Sequence, residues 1–358
     1  MYKLLRPFLF RLDPEQAHAL TLFALRVTGG LSPLHWLIAR QLKAPPKPVE
    51  VFGLKFKNPV GLAAGYDKDA VAVHGLGALG FGHVEVGTVT PLPQDGNPRP
   101  RVFRLLEDEA VINRMGFPGR GADFVEHALR IIRFGEKPSS PMMQLYRYFS
   151  PGAQNDMILG VNLGKNKSTP NEEAVLDYLA LIQKLGAYAD YLTINISSPN
   201  TVGLRQLQGR DALMALLTQV HQQRKLEEEA LQRRLPVLVK LAPDLSDSEL
   251  DDALDVILSS KMDGVIVTNT TLAREGLRSR YQGESGGLSG TPLRARSEAV
   301  LGRTVIRLDG KIPVVSAGGI MGPDDAKRRL DLGAALVQVY TGLIYRGPSL
   351  VKEIVRSL

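Results

Sequence analysis

The chain is 358 residues long, 44% hydrophobic and 23% charged, with no cysteine and a formal net charge of +7. That length can bury a large core, either as one α/β domain or as a domain with an appendage, and no repeat or low-complexity tract interrupts it. The lack of cysteine excludes disulfides, thiolate metal sites and a cysteine nucleophile or base.

Residues 1–43 hold six bases (Lys3, Arg6, Arg11, Arg26, Arg40, Lys43) against two acids (Asp13, Glu15), so over half of the net charge sits at one end. Concentrated charge of this kind points to an anionic surface or small molecule, and no nucleic acid partner is expected. Arg6, Arg11 and Asp13 break up the apolar residues, so the segment is not a signal peptide. Its apolar stretches are far shorter than the roughly 18 residues that a crossing needs. Leu20, Phe23, Ala24 and Val27, then Leu31, Leu34 and Ile38, recur at helical spacing and predict two short amphipathic helices. They are either a cap packed on the main domain or an interfacial membrane anchor; Phe8, Phe10 and Trp36 favour the second.

The Pro-rich stretch 44–50 is a linker and domain boundary, and "VFGLKFKNP" beyond it has the form of a β-hairpin. Residues 51–358 then alternate apolar β-rich runs with helical patterns. Eight runs stand out: "VGLAAG", "FGHVEVGTV", "MILGVNLG", "YLTINIS", "PVLVKLA", "GVIVTNT", "PVVSAGG" and "LVQVYTG". Among the helical segments are "GADFVEHALRIIR", "NEEAVLDYLALIQKLGAYA", "SDSELDDALDVILSS" and "GPDDAKRRLDLG". Alternation demands a parallel sheet, and eight units close it, so the fold class is a (β/α)8 TIM barrel with a short N-terminal helical extension. Between the first two runs, "GLGALG" matches a dinucleotide fingerprint but ends a helix and enters a strand, the reverse of what a pyrophosphate requires.

Each run starts apolar and ends polar, at Lys68, Thr88, Asn162, Asn195, Lys240, Asn269, the pair Gly318 and Gly319, or Thr341. Strand C-termini build the active site of such a barrel, so one pocket is expected at one face. Glycine-rich pieces at 286–290, 316–320 and 340–342 predict a phosphate held on backbone amides. With Asn113, Asn200, Ser198 and Thr270, the set suits a planar, polar, anionic molecule and offers no cluster of metal ligands. The six histidines lie in helices, between helices or at strand starts, and Asp67, Asp69 and Asp244 are expected as N-caps of following helices. Lacking a strong acid or base, the pocket must borrow its chemistry from a cofactor, and a phosphate-bearing one beside two lysines suggests FMN.

In this order, "GLAAGYDKD", "EVGTVTP", "INRMGF", "GVNLGKNK", "NISSPNT", "VKLAPDLS", "TNTTL", "GGLSGTPL", "GGI" and "VQVYTG" resemble the class 2, membrane-associated and quinone-reducing dihydroorotate dehydrogenases. The similarity covers nearly the whole chain, including "LDPEQAH" near its start. It implies oxidation of dihydroorotate to orotate in pyrimidine biosynthesis, with FMN accepting the hydride and a membrane quinone reoxidising it. By the same resemblance FMN would be bound by Ala64, Gly65, Lys68, Thr88, Asn162, Asn195, Lys240, Thr268, Gly290, Gly319, Tyr340 and Thr341. The substrate would be bound by Lys68, Asn113, Arg114, Met115, Gly116, Phe117, Asn195, Asn200, Asn269 and Thr270, with Ser198 as the catalytic base. His18, Arg104 and Tyr340 would line the quinone path.

With a quinone as acceptor, residues 1–43 are expected to dock on an anionic membrane surface, making a peripheral protein of the cytoplasmic face of the cell membrane. The chief rivals are the soluble-acceptor class, which typically has cysteine at the base position, and another FMN-dependent or sugar-phosphate TIM barrel. Ser198 and the N-terminal helices speak against the soluble-acceptor class. Residues 134–157 exceed the family pattern by on the order of 20 residues, and connectivity assigns them to the face opposite the chemistry, where they are expected to be dispensable for turnover.

Overall fold

A computed structural model describes residues 2–135 and 157–358; most of the long segment at 134–157 lies outside the described residues. Three helices open the chain where two were expected: α1 (Tyr2–Arg11), α2 (Pro14–Gly30) and α3 (Ser32–Leu42). The first carries Pro7 in its interior, a residue that argues against a helix in the sequence. Asp13 caps α2 by accepting from the backbone N–H of Glu15 and Gln16, with Pro14 in the first turn, so the "LDPEQAH" stretch is a helix start.

An antiparallel hairpin follows, β1 (Val49–Val51) with β2 (Leu54–Phe56), so strand structure begins two residues ahead of the expected boundary. The eight apolar runs are the eight parallel strands of a closed barrel. They are β3 (Val60–Leu62), β4 (His83–Val89), β7 (Ile158–Leu163), β8 (Tyr191–Asn195), β9 (Val237–Leu241), β10 (Gly264–Val267), β12 (Val314–Ala317) and β13 (Leu336–Val339). Burial on both faces explains their nearly unbroken apolar character. Two long helices that the apolar pattern did not single out, Arg210–Leu231 and Arg294–Leu308, complete β/α units on the outside.

Also unforeseen is a three-stranded antiparallel sheet, β5 (Val102–Leu105), β6 (Ala110–Asn113) and β11 (Gly287–Gly290). The glycine-rich 286–290 piece is thus mostly a strand; it pairs Gly287 with Asn113 and Gly290 with Ala110.

Small residues facing large ones close the barrel's N-terminal end. A methyl group on Gly160 would lie 2.2 Å from the Tyr191 ring, and one on Gly61 2.0 Å from the His83 ring. Phe52 and Phe56 of the hairpin plug what is left, with Phe56 edge-on to His83 at 5.4 Å. Among the described residues neither ring nitrogen of His83 has a hydrogen-bond partner, and burial pushes its pKa down to about 3, so it sits there as a neutral ring.

Gly75 and Gly77 lie in the short helix α4 (Val73–Ala78), not in a nucleotide loop. Their environment shows what the glycines do: a methyl group on Gly75 would sit 1.9 Å from the Leu25 carbonyl oxygen of α2, and one on Gly29 2.7 Å from the Gly75 nitrogen. The two helices touch backbone to backbone, which seats α2 on the barrel. Gly75→Val should cost about 1–3 kcal/mol of stability as overpacking, read as an earlier urea midpoint; an unchanged midpoint would mean that α2 is not held by this contact.

Candidate active site

A continuous cavity of about 1110 Å³ runs from α1–α3 to the C-terminal ends of the barrel strands. Its outer part is apolar, with Leu5, Leu9, Phe10, Leu22, Leu25 and Ile38; its inner part holds Lys68, Asn113, Asn195, Ser198, Asn200, Lys240, Asn269 and Thr270. Parallel closure brings most of these last residues together at the barrel's strand ends and the loops after them, while Asn113 comes from the end of β6 in the antiparallel sheet.

The inner residues form a hydrogen-bonded mesh. Thr88 Oγ1 donates to Asn162 Oδ1 at 2.6 Å, and Asn195 Nδ2 donates to the same oxygen at 3.0 Å. Asn269 Nδ2 donates to Ser197 Oγ at 3.0 Å, and its Oδ1 accepts from the Thr270 N–H at 2.8 Å. Asn200 Nδ2 donates to Asn113 Oδ1 at 3.2 Å, while the Asn200 N–H donates to Ser198 Oγ at 3.2 Å. Two lysines enter this dry mesh. Burial lowers the Lys68 pKa to about 8, against the pull of Asp69 and Asp67, and Nζ donates to the Gly65 carbonyl at 2.8 Å. Burial also lowers the Lys240 pKa, opposed by the charge of Glu85 below it.

At the opposite corner the glycine-rich pieces do converge. A methyl group on Gly290 would lie 3.0 Å from Thr341 Cγ2, and one on Gly318 3.3 Å from Thr268 Oγ1. Gly318 and Gly319 have φ of +102° and +71°, a pair of left-handed residues that side chains rarely adopt.

Most of the expected site residues meet here: Ala64, Gly65, Lys68, Thr88, Asn195, Lys240, Thr268, Gly290, Gly319, Tyr340 and Thr341 all line the cavity. So do Asn113, Met115, Gly116, Phe117, Ser198, Asn200, Asn269, Thr270, His18 and Arg104. Two do not. Asn162 is fully buried one layer down, donating to Glu85 at 2.7 Å and supporting Thr88 and Asn195 from beneath. Arg114 follows Asn113 at the end of β6 and points the other way, to Glu284 at 2.5 Å and over the Phe103 ring.

The three aspartates also differ from expectation, because none caps a helix. Asp67 accepts from the N–H groups of Val71 and Ala72, both at 2.8 Å, and burial pushes its pKa up to about 6. Asp69 accepts from the Arg120 N–H at 2.9 Å, and Ser246, not Asp244, caps the helix Asp247–Ser259. Asp244 instead holds Arg205 at 2.8 Å, whose guanidinium donates to the carbonyls of Ser197 and Thr270. Arg205 therefore fixes the two loops that carry Ser198 and Thr270. It has no distinguishing signal in the sequence beyond lying in the same loop.

The helices are tied to this site electrostatically. Arg101, nearly buried, donates to Glu15 of α2 at 3.0 and 3.1 Å and to the carbonyls of Asp95 and Asn97. Asn97 in turn donates to the Asn200 carbonyl at 3.0 Å. Arg104 donates to the Leu9 and Leu12 carbonyls and lies over Phe10. His18 packs edge-on to Tyr66 at 4.9 Å, and burial, then the charge of Lys68, lowers its pKa to about 3.

A closed parallel barrel whose strand ends share one cavity with added N-terminal helices defines an α/β-barrel enzyme. The family model for dihydroorotate dehydrogenase matches residues 48–358. A dihydroorotate dehydrogenase (quinone) of Flavobacterium lutescens is 47% identical, covering 100% of this chain and 96% of the relative. One of Idiomarina loihiensis is 46% identical over the full length of both. Among solved structures, the ligand-free dihydroorotate dehydrogenase of Eimeria tenella superposes with a TM-score of 0.83 at 41% identity, covering 96% of this chain and 94% of the other. The chain belongs to the dihydroorotate dehydrogenase family.

The buried neutral histidines make stability depend on pH. His18, His74 and His83 have pKa values lowered to about 3, 4 and 3, so below about 6.5 the unfolded chain binds protons that the fold refuses. Stability is full above about pH 6.5 and falls on acidification by up to about 1.4 kcal/mol per pH unit for each ring. Asp67, with its raised pKa, offsets one of them below about pH 6. Urea midpoints at pH 7 and 5.5 should differ accordingly; equal midpoints would show that these rings are already charged in the fold.

Proposed function

We propose that this chain oxidises dihydroorotate to orotate in pyrimidine biosynthesis and passes the electrons through FMN to a membrane quinone. The observation that carries this is the single cavity, apolar at the helical end and lined with amides and lysines at the barrel end. One end suits a lipid-soluble acceptor and the other a planar anion with alternating ring N–H and C=O groups. The names of the relatives, all quinone-type, favour this over a soluble-acceptor enzyme.

The residues fit FMN. Gly319 and Ile320 line the cavity, and no protein acceptor takes their backbone amides among the described residues, which leaves donors of the kind a phosphate needs. When bound, FMN supplies the hydride acceptor. Gly290, Gly319 and Thr341 would hold its phosphate; Ala64, Gly65, Thr88, Asn195, Lys240, Thr268 and Tyr340 would surround the rest, with Asn162 acting from beneath. Lys240 would place positive charge where the ring system becomes anionic on reduction.

On the substrate side, Lys68 would pair with the carboxylate, and Asn113, Asn195, Asn200, Asn269 and Thr270 would read the ring, along with the backbone from Met115 to Phe117. The Arg114 side chain, turned outward, is left with a supporting role. Ser198 Oγ would take the proton from the ring carbon beside the carbonyl as hydride leaves its neighbour. The Asn200 N–H donated to that oxygen steadies it. Thr201 has a buried hydroxyl without a partner among the described residues, which suits it to carry the proton onward. Flavin bleaching by dihydroorotate, followed in stopped flow, tests the whole reading. Ser198→Ala should keep FMN and orotate binding and slow bleaching by about 10²–10⁴-fold; an unchanged rate would move the base elsewhere.

Residues 1–43 would form the membrane and quinone-access unit, joined by the linker to the barrel, with His18, Arg104 and Tyr340 along the quinone path. Among the described residues, no helix is long and apolar enough to cross a membrane, and α2 and α3 meet at 109°. Leu4, Leu5, Phe8, Phe23, Trp36 and Leu37 are all more than half exposed, among Lys3, Arg11 and Arg40. This pattern supports peripheral docking on an anionic leaflet at the cytoplasmic face. Because α2 is seated on the barrel, point changes test the idea better than deletion. The triple change Phe8→Asp, Phe23→Asp and Trp36→Asp should abolish cosedimentation with anionic vesicles and slow reoxidation by long-chain quinone, with flavin reduction unaltered. Retained vesicle binding would refute the docking.

A further inference from the structure

Beneath the glycine corner lies a guanidinium that does not line the cavity. Arg329, on the helix Pro323–Asp331, is 0% exposed, an unusual place for a full charge. Its Nη2 donates to the Gly318 carbonyl at 3.0 Å, the Arg294 carbonyl at 3.0 Å and Ser297 Oγ at 2.8 Å. Nη1 reaches Ser316 Oγ at 3.4 Å, and Nε faces Glu298 at 3.4 Å. Ser297 Oγ has one proton to share among the carbonyls of Gly318 at 2.9 Å, Leu293 at 2.9 Å and Arg294 at 3.1 Å.

The two gripped carbonyls belong to the backbones that meet at the corner, for a methyl group on Gly319 would lie 2.4 Å from Arg294 Cα. Four residues before Arg329, Asp325 accepts from the Met321 N–H at 2.9 Å. The helix therefore holds the loop at both ends, Gly318 by its carbonyl and Met321 by its amide. Between these grips the amides of Gly319 and Ile320 are left without a protein acceptor among the described residues. Holding the Gly318 carbonyl in these bonds leaves the amides of Gly319 and Ile320, both cavity-lining residues, as the open donors of the loop.

We propose that Arg329 is a positioning residue for the phosphate of the flavin cofactor: it sets the loop so that donors face the anion and adds positive charge behind them. This rests on the FMN reading above. A simple structural role would affect any flavin alike, whereas this role concerns the phosphate alone.

The test compares binding of FMN and riboflavin to the apoprotein, followed by quenching of flavin fluorescence. Arg329→Met should weaken FMN about tenfold or more, the scale of one lost charged hydrogen bond, and leave riboflavin unchanged. Arg329→Lys should recover part of the FMN affinity. Should Arg329→Met fail to fold, Ser297→Ala, which removes the hydroxyl that accepts from Arg329 beside the Gly318 carbonyl, should weaken FMN selectively by a few-fold. Equal changes for both flavins, or no change for either, would overturn the proposal. Wild-type protein that binds neither flavin would instead overturn the FMN reading itself.

Discussion

A closed parallel barrel has one end at which every strand finishes, and the chemistry of this protein depends on that constraint. The strands must be apolar through the interior because helices cover them outside. Their last residues escape that demand, and the eight ends deliver amides, hydroxyls and two lysines to one place. The opposite end is sealed by aromatic side chains set against glycines, so the polar groups have a single exit.

Within the site, polarity is kept dry and is therefore costly unless paired. Three asparagines, a threonine and a serine satisfy one another, and a buried glutamate closes the network from below. The lysines are different, since burial lowers both of their pKa values. An anionic ligand would restore what burial takes from them. Arg205 and Arg101 act at one remove: each is anchored to a carboxylate and directs its remaining donors to loop carbonyls.

The barrel was legible in the sequence because strands buried on both faces leave continuous apolar runs, each ending in a polar residue. The site was legible through those ends and through the family motifs. What escaped has physical reasons. The β5–β6–β11 sheet joins short strands some 170 positions apart, and "GLSG" has no strand pattern of its own. Arg114 was expected in the pocket, yet side chains alternate along an extended chain, and its neighbour Asn113 already faces inward. Asn162 stands one layer beneath the cavity lining for a related reason: facing the barrel interior does not fix the height at which a side chain stands. The aspartates follow strands as caps would, but their partners are loop amides and arginines brought in by tertiary folding. In α1, Pro7 hid a helix.

The backbone contact of Gly29 and Gly75 reaches beyond packing. Two helices that touch without side chains between them have no adjustable layer, and with glycine already on both sides neither can shrink to admit a larger residue on the other. The fit of the N-terminal helices on the barrel is consequently fixed by this one backbone contact. Chimaeras that exchange helices among relatives to alter acceptor preference will work only when α4 travels with them.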